Sequence, residues 1–108
     1  MTRRHKEDSV PDIALEVRNP SGLHARPAAL FVKTASGFAA DVLVSNLTRN
    51  PEKAASARSL LAVLALGVSR GHQIRIAAVG DDADEAITAL RQLVESGLGE
   101  ALEPEAPT

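Results

Sequence analysis

The chain has 108 residues, 12 Lys and Arg against 14 Asp and Glu, 2% aromatic residues and no cysteine, which fits one small domain of near-neutral charge. Without cysteine there is no disulfide, no thiolate metal site and no Cys nucleophile. Two Phe make no stacking platform for single strands, and a slightly acidic balance lacks the basic field that duplex binding needs, so nucleic acid is not an expected partner.

The start, MTRRHKEDSVPD, has no apolar run of the secretory kind, so the default compartment is the cytoplasm. Residues 1–11 are dense in charge, and the end carries Glu100, Glu103, Glu105 and two prolines. Both read as solvated tails, 1–11 and 99–108, flanking a folded domain at 12–98 in which the two signs of charge balance. Ile13, Leu15 and Val17 alternate with polar or small residues, the pattern of a half-buried strand. Asn19-Pro20-Ser21-Gly22 is a turn cluster. From Ala25 to Ser36 the period lengthens, with Ala28, Leu30, Phe31, Val32 and Ala35 as a helical stripe and Gly37 at the C-cap position. Val42 and Val44 mark a second strand.

Residues 46–55 are polar with an Asn-Pro turn signal. A third strand near Glu52–Ala57 is only weakly indicated, because Ala and Ser are poor strand formers. Ser59 then stands as N-cap before LLAVLAL, a short apolar helix closed by Gly67. The apolar stretch Leu60–Val68 is too short to span a bilayer. Ile74 and Ile76 alternate in another strand reaching Val79. Asp81, Asp82, Asp84 and Glu85 load the N-terminus of a last helix with acid, favourable for its dipole, and Gly97 ends it. The order is β-α-β-β-α-β-α. Alternating strands imply one wet sheet face, hence an α+β domain with an antiparallel sheet covered by helices on one side.

Of the three histidines, His5 lies in the charged start and His72 opens a strand as a surface residue. His24 sits between a turn and a helix. Pro27 is tolerated only in a first helical turn, which sets the helix start near Ala25 and makes His24 the N-cap or its neighbour. There an imidazole stands beside backbone N–H groups without intrahelical acceptors, an anion-binding position with Arg26 close in sequence. A phosphoryl group on the imidazole would be received by those donors. Position alone favours a plain capping histidine, since helix caps are common and catalytic histidines rare. No second ligand stands at metal spacing around His24, and neither a nucleophile elbow nor a phosphate- or dinucleotide-binding glycine loop is present; no metal or cofactor is expected.

The segment GLHARPA, Gly22–Ala28, resembles the phosphorylation-site motif of the HPr family, the histidine phosphocarriers of the bacterial phosphoenolpyruvate-dependent phosphotransferase system. The likeness runs from about Asp12 to Gly97 and includes LFVKTASGF, SLLAVLALGV and VGDDADEAITAL. It implies an HPr-like open-faced β-sandwich, a four-stranded antiparallel sheet covered on one side by three helices. It also implies roles. His24 is the phosphoryl acceptor, through Nδ1. Ala25 and Arg26 stabilise the phosphate. Ser59 matches a serine that a dedicated HPr kinase phosphorylates in some bacteria. Leu60, Leu61 and Leu64, with Lys33, match the docking surface for an enzyme I-type donor and enzyme IIA-type or other acceptors.

The run LLAVLAL is apolar on every face, more than a two-turn helix needs to bury, and an exposed apolar patch is the mark of a partner surface. The expectation is therefore a cytoplasmic, monomeric phosphocarrier, serving a sugar, nitrogen-related or dihydroxyacetone system. The alternative is a regulatory module that acts by binding, with Ser59 as its switch. The stretch between Phe38 and Ser59 is about four residues longer than in the common sugar-system form, which leaves the third strand in question.

Overall fold

The computed structural model describes residues 10–102. Its elements are β1 (Asp12–Glu16), α1 (Ala25–Ser36), β2 (Asp41–Asn46), β3 (Asn50–Ser56), α2 (Leu60–Ala65), β4 (Gln73–Val79) and α3 (Ala83–Glu95). The four strands form one antiparallel sheet in the order β1-β4-β2-β3. Alternation decides which face is covered: Val42, Val44, Ile74 and Ile76 point inward and are buried, while Asp41, Leu43, Gln73 and Arg75 face outward and are exposed. The three helices lie on the inward face, and Phe31 of α1, Leu90 and Val94 of α3, and Val63 of α2 complete the core. Full burial of Phe31 stabilises the fold by about 1.5–3 kcal/mol on transfer alone. This is the α+β, open-faced βαββαβα arrangement expected from the alternating strands.

The third strand exists and begins earlier than the local signal places it. β3 runs Asn50–Ser56, so the Asn50-Pro51 pair lies inside a strand and not in a turn. Proline fits there because β3 is an edge strand paired only with β2. Only Ala55 of β3 is buried, so its residues carry no alternating apolar pattern to read. The turn falls at Leu47–Arg49 and is built by buried Asn46. Its Oδ1 accepts the N–H groups of Thr48 and Arg49, both at 3.1 Å, and its Nδ2 donates to the Leu66 carbonyl at 3.1 Å. Asn46 Nδ2 also lies 3.1 Å from His72 Nδ1, which accepts the Ser69 N–H at 3.1 Å. His72 is thus a half-buried turn anchor, more than the surface residue expected.

Gly37 occupies the C-cap of α1 but is right-handed, at φ −78°. That helix closes with tightened bonds from Gly37 and Phe38 N–H to the Thr34 and Ala35 carbonyls, so the position needs no left-handed residue. The loops gather at two ends of the sheet. Glu16 pairs with Gln73 at one end, and Asp41 pairs with Val79 at the other. The first end carries residues 17–24, 47–49 and 66–72, and the second carries 37–40 and 80–82. Among the described residues no helix is long and apolar enough to cross a membrane. Residues 1–9 and 103–108, which hold most of the two expected tails, lie outside the described residues.

Candidate functional site

The segment after β1 is pinned before it reaches His24. Val17 N–H bonds the His72 carbonyl at 2.9 Å, and Leu23 N–H bonds the Val68 carbonyl at 3.0 Å. Leu23 itself is fully buried. Gly22 adopts φ +64°, and a Cβ there would collide with the Val68 carbonyl oxygen and the Ser69 backbone. Only glycine meets both demands, a left-handed backbone and a close approach to another strand of chain. Asn19, also fully buried, closes the turn: its Nδ2 donates to the Gly22 carbonyl at 3.0 Å, and its carbonyl accepts the Gly22 N–H at 3.2 Å.

His24 then stands as N-cap of α1 in extended conformation, φ −129° and ψ 158°, with its side chain exposed and making no capping hydrogen bond. A plain capping role therefore does not describe it; among the described residues neither ring nitrogen has a hydrogen-bond partner. The first helical bond runs from Ala28 N–H to the His24 carbonyl. The N–H groups of Ala25 and Arg26 come before that bond and have no intrahelical acceptor, and Pro27 brings no N–H at all. Two free donors and the positive end of a 12-residue helix thus follow His24 directly along the backbone.

Ala25 is left-handed, at φ +46°. For a residue with a Cβ this costs about 1–2 kcal/mol, and local strain of that kind collects at functional positions. Nothing in the residue type announces it, since alanine is the best helix former. Arg26 is exposed, and among the described residues it makes no ion pair, so its guanidinium is available to an anion beside His24.

Glu100 belongs to the expected C-terminal tail, yet it is tied to this loop. Its Oε1 accepts Asn19 Nδ2 and the Ser21 N–H, both at 2.9 Å, and its Oε2 accepts the Ser21 hydroxyl at 2.8 Å. The Asn19 bond above all, then those from Ser21, hold the Glu100 carboxyl below the usual carboxylate range, with the Arg26 charge adding to the effect. The organised chain therefore reaches past residue 98, and no local pattern in GLGEAL could have shown it.

The second group of expected site residues sits on α2. Ser59 is the N-cap, its hydroxyl oxygen accepting the Ala62 N–H at 3.1 Å. Leu61 is 79% exposed and Leu60 40%, while Val63 and Leu66 are buried. Leu64 is half-buried and packs against the core. The apolar run is thus divided, with one side in the core and Leu60 and Leu61 facing solvent. Lys33 is exposed on α1, which packs on α2.

Comparison with known proteins agrees with this geometry. The sequence profile described as the PTS HPr component phosphorylation site matches residues 12–96. The chain is 44% identical over 73 residues to the phosphocarrier protein HPr of Haloferax volcanii, covering 68% of this chain and 80% of that protein. It is 43% identical over 93 residues to the multiphosphoryl transfer protein of Salmonella typhimurium, covering 86% of this chain and 24% of that one. The chain thus spans about a quarter of the length of that relative. Among solved structures, HPr-C-His from Thermoanaerobacter tengcongensis superimposes with a TM-score of 0.79 at 44% identity, covering 85% of this chain and 99% of that one.

Proposed function

The chain belongs to the HPr family, and from that membership we propose that it carries phosphoryl groups on His24 between two protein partners. It is a carrier of the phosphotransferase-system type and not an enzyme; its phosphohistidine is an intermediate of the relay. The observation that supports His24 as the acceptor is its exposed, uncapped imidazole beside the N–H groups of Ala25 and Arg26.

In this reading Nδ1 attacks the phosphorus of an enzyme I-type phosphohistidine in line. The new N–P bond forms as the donor's N–P bond breaks, and that bond's electron pair returns to the donor ring. The phosphoryl group moves with little covalent help from the carrier, so positioning and charge stabilisation dominate. The Ala25 and Arg26 N–H groups and the Arg26 guanidinium hold the phosphoryl oxygens. These few exposed donors bind without enclosing, which keeps the phosphoryl group transferable to an enzyme IIA-type or other acceptor.

Leu60, Leu61 and Leu64, with Lys33, form the docking surface for both partners; Leu61, the most exposed of the three leucines, contributes most, since desolvating it gains the most apolar area. Ser59 is a modification site for an HPr kinase, where a dianion beside Leu60 would disfavour apolar docking. The purely regulatory reading gains nothing from the site, because binding alone has no use for a free imidazole at a helix start. The carrier domain runs from residue 12 to at least Glu100, and the chain acts as a cytoplasmic monomer.

The test is labelling by phosphoenolpyruvate and enzyme I. The protein should gain one acid-labile phosphoryl group, and His24→Ala should gain none. Acid-labile labelling that persists in His24→Ala would overturn the assignment, and an acid-stable phosphoryl mass on the purified protein would favour the regulatory alternative.

A further inference from the structure

We propose that Glu100 is a positioning residue for phosphoryl transfer, its carboxylate holding the Asn19–Gly22 turn in the shape that presents His24. The proposal rests on the reading of His24 as phosphoryl acceptor.

Three donors converge on one carboxylate from positions 79 and 81 residues away: Asn19 Nδ2, Ser21 N–H and the Ser21 hydroxyl, at 2.8–2.9 Å. Charge-assisted hydrogen bonds of this kind are stronger than neutral ones. Asn19 is fully buried, and its Nδ2 has two acceptors, the Gly22 carbonyl and Glu100. Ser21 N–H belongs to the turn itself. The carboxylate therefore grips the turn by its backbone and by the side chain that closes it. Two residues later comes His24, with buried Leu23 between them bonded to the Val68 carbonyl. A turn fixed at both ends holds the His24 backbone in place at the start of α1, ahead of the Ala25 and Arg26 donors.

The path to Glu100 is itself costly. After α3 the chain runs through three consecutive positive-φ residues, Gly97 at +102°, Leu98 at +53° and Gly99 at +83°. Leu98 is not a residue that adopts this conformation freely, and it is held there with its side chain buried. The Glu100 N–H closes the hook on the Gly97 carbonyl at 2.9 Å. Strain and a buried anchor together aim one carboxylate at one loop. Ser21, Ala25, Arg26, Leu30, Leu98 and Glu100 line a common cleft beside the start of α1. Glu100 hydrogen-bonds the turn and not the His24 ring, so its action is through the loop.

The experiment compares phosphoryl uptake from phosphoenolpyruvate and enzyme I by the parent, Glu100→Ala and Glu100→Gln. In the glutamine variant the amide oxygen still accepts from Asn19 and the Ser21 N–H, and the amide nitrogen donates to the Ser21 hydroxyl oxygen. Geometry is kept and charge is lost. Misplacement of a reacting group by about an ångström costs up to roughly 100-fold, so Glu100→Ala should take up label at least roughly 10-fold more slowly, to the same final stoichiometry.

Glu100→Gln should stay within about threefold of the parent, because hydrogen-bond geometry carries the effect. The His24 ring proton resonances should shift in Glu100→Ala and stay parental in Glu100→Gln. If Glu100→Ala does not fold, Ser21→Ala, which removes one of the three bonds, should slow uptake and move the same resonances. Parental rates and His24 resonances in Glu100→Ala, or in Ser21→Ala where that variant replaces it, overturn the proposal; so does equal slowing in Glu100→Ala and Glu100→Gln, which would assign the effect to charge. A parent that takes up no label fails the reading of His24 instead.

Discussion

Asp82 and Glu100 use one physical device at opposite ends of the sheet. Asp82 accepts the Ala39 and Ala40 N–H groups at 2.9 and 2.8 Å, and Arg58 Nη2 answers the carbonyls of Phe38, Ala39 and Ala40 at 2.9–3.3 Å. The N–H groups and carbonyls of Ala39 and Ala40 are all met, and the result is a corner joining α3 to the start of β2. Glu100 likewise gathers backbone and side-chain donors from a distant loop, but its loop ends on a histidine whose ring makes no capping hydrogen bond. The difference teaches that a distant carboxylate can serve a corner or a reactive group by the same bonds. What decides is whether the clamped segment leaves a functional atom unengaged.

Glycine variants should break the comparison most forcefully. At Gly22 an added Cβ meets the Val68 carbonyl oxygen on a left-handed backbone, and the backbone cost alone is about 1–2 kcal/mol. At Gly80, φ +144°, a Cβ would lie 2.7 Å from the Ala40 Cα, in a region where strain is on the order of 1–3 kcal/mol. Both Gly22→Ala and Gly80→Ala should lower the urea midpoint. Uptake of label per folded molecule should fall in Gly22→Ala alone; a matching fall in Gly80→Ala would erase the distinction between the two ends.

Removal of the far clamp comes next. Asp82→Ala should lower the thermal midpoint while its rate of phosphoryl uptake stays parental, whereas Glu100→Ala should lower both. Kinetics that follow stability equally in both variants would reduce both carboxylates to structural roles.

Acid sharpens the likeness. Both carboxyls lie below their ordinary pKa, Asp82 chiefly through the Ala39 N–H and Glu100 chiefly through the Asn19 amide. A carboxyl depressed in the folded state contributes stability that is complete above its unfolded pKa and is lost as pH falls through the folded value. Stability should therefore decline at and below the ordinary carboxylate range. Denaturant unfolding of the Asp82→Ala/Glu100→Ala double variant should show a shallower acid limb than the parent. The mildest change is Ala25→Gly. It relieves a left-handed backbone worth about 1–2 kcal/mol against roughly 0.5–1 kcal/mol of added chain entropy in the unfolded state, so chemical denaturation should find it slightly more stable.

The residues made much of this legible and left particular parts dark. Pro27 and the turn before it located the start of α1 and its N-cap, because proline's ring restricts where it can sit. Ser59 announced its helix by a different local device, a hydroxyl that accepts a first-turn N–H. β3 was faint because an edge strand with one buried residue needs no apolar alternation, and its pairing with β2 supplies what its residues do not advertise. His72 and Asn46 looked like surface and turn residues, yet they bond each other across 26 positions.

Period, caps and turn residues are nearest-neighbour physics, so the sequence by itself determined the order of every element but β3, the covered face of the sheet and the place of His24 at a helix start. It determined the family likeness too, since GLHARPA is contiguous. Only the tertiary structure decided that the His24 ring is uncapped, that Ala25 is left-handed, that Leu61 stands out while Leu64 leans into the core, and that Glu100 closes on Asn19 and Ser21. Those are outcomes of which distant groups meet, and separations of 79 and 81 residues leave no periodic trace along the chain.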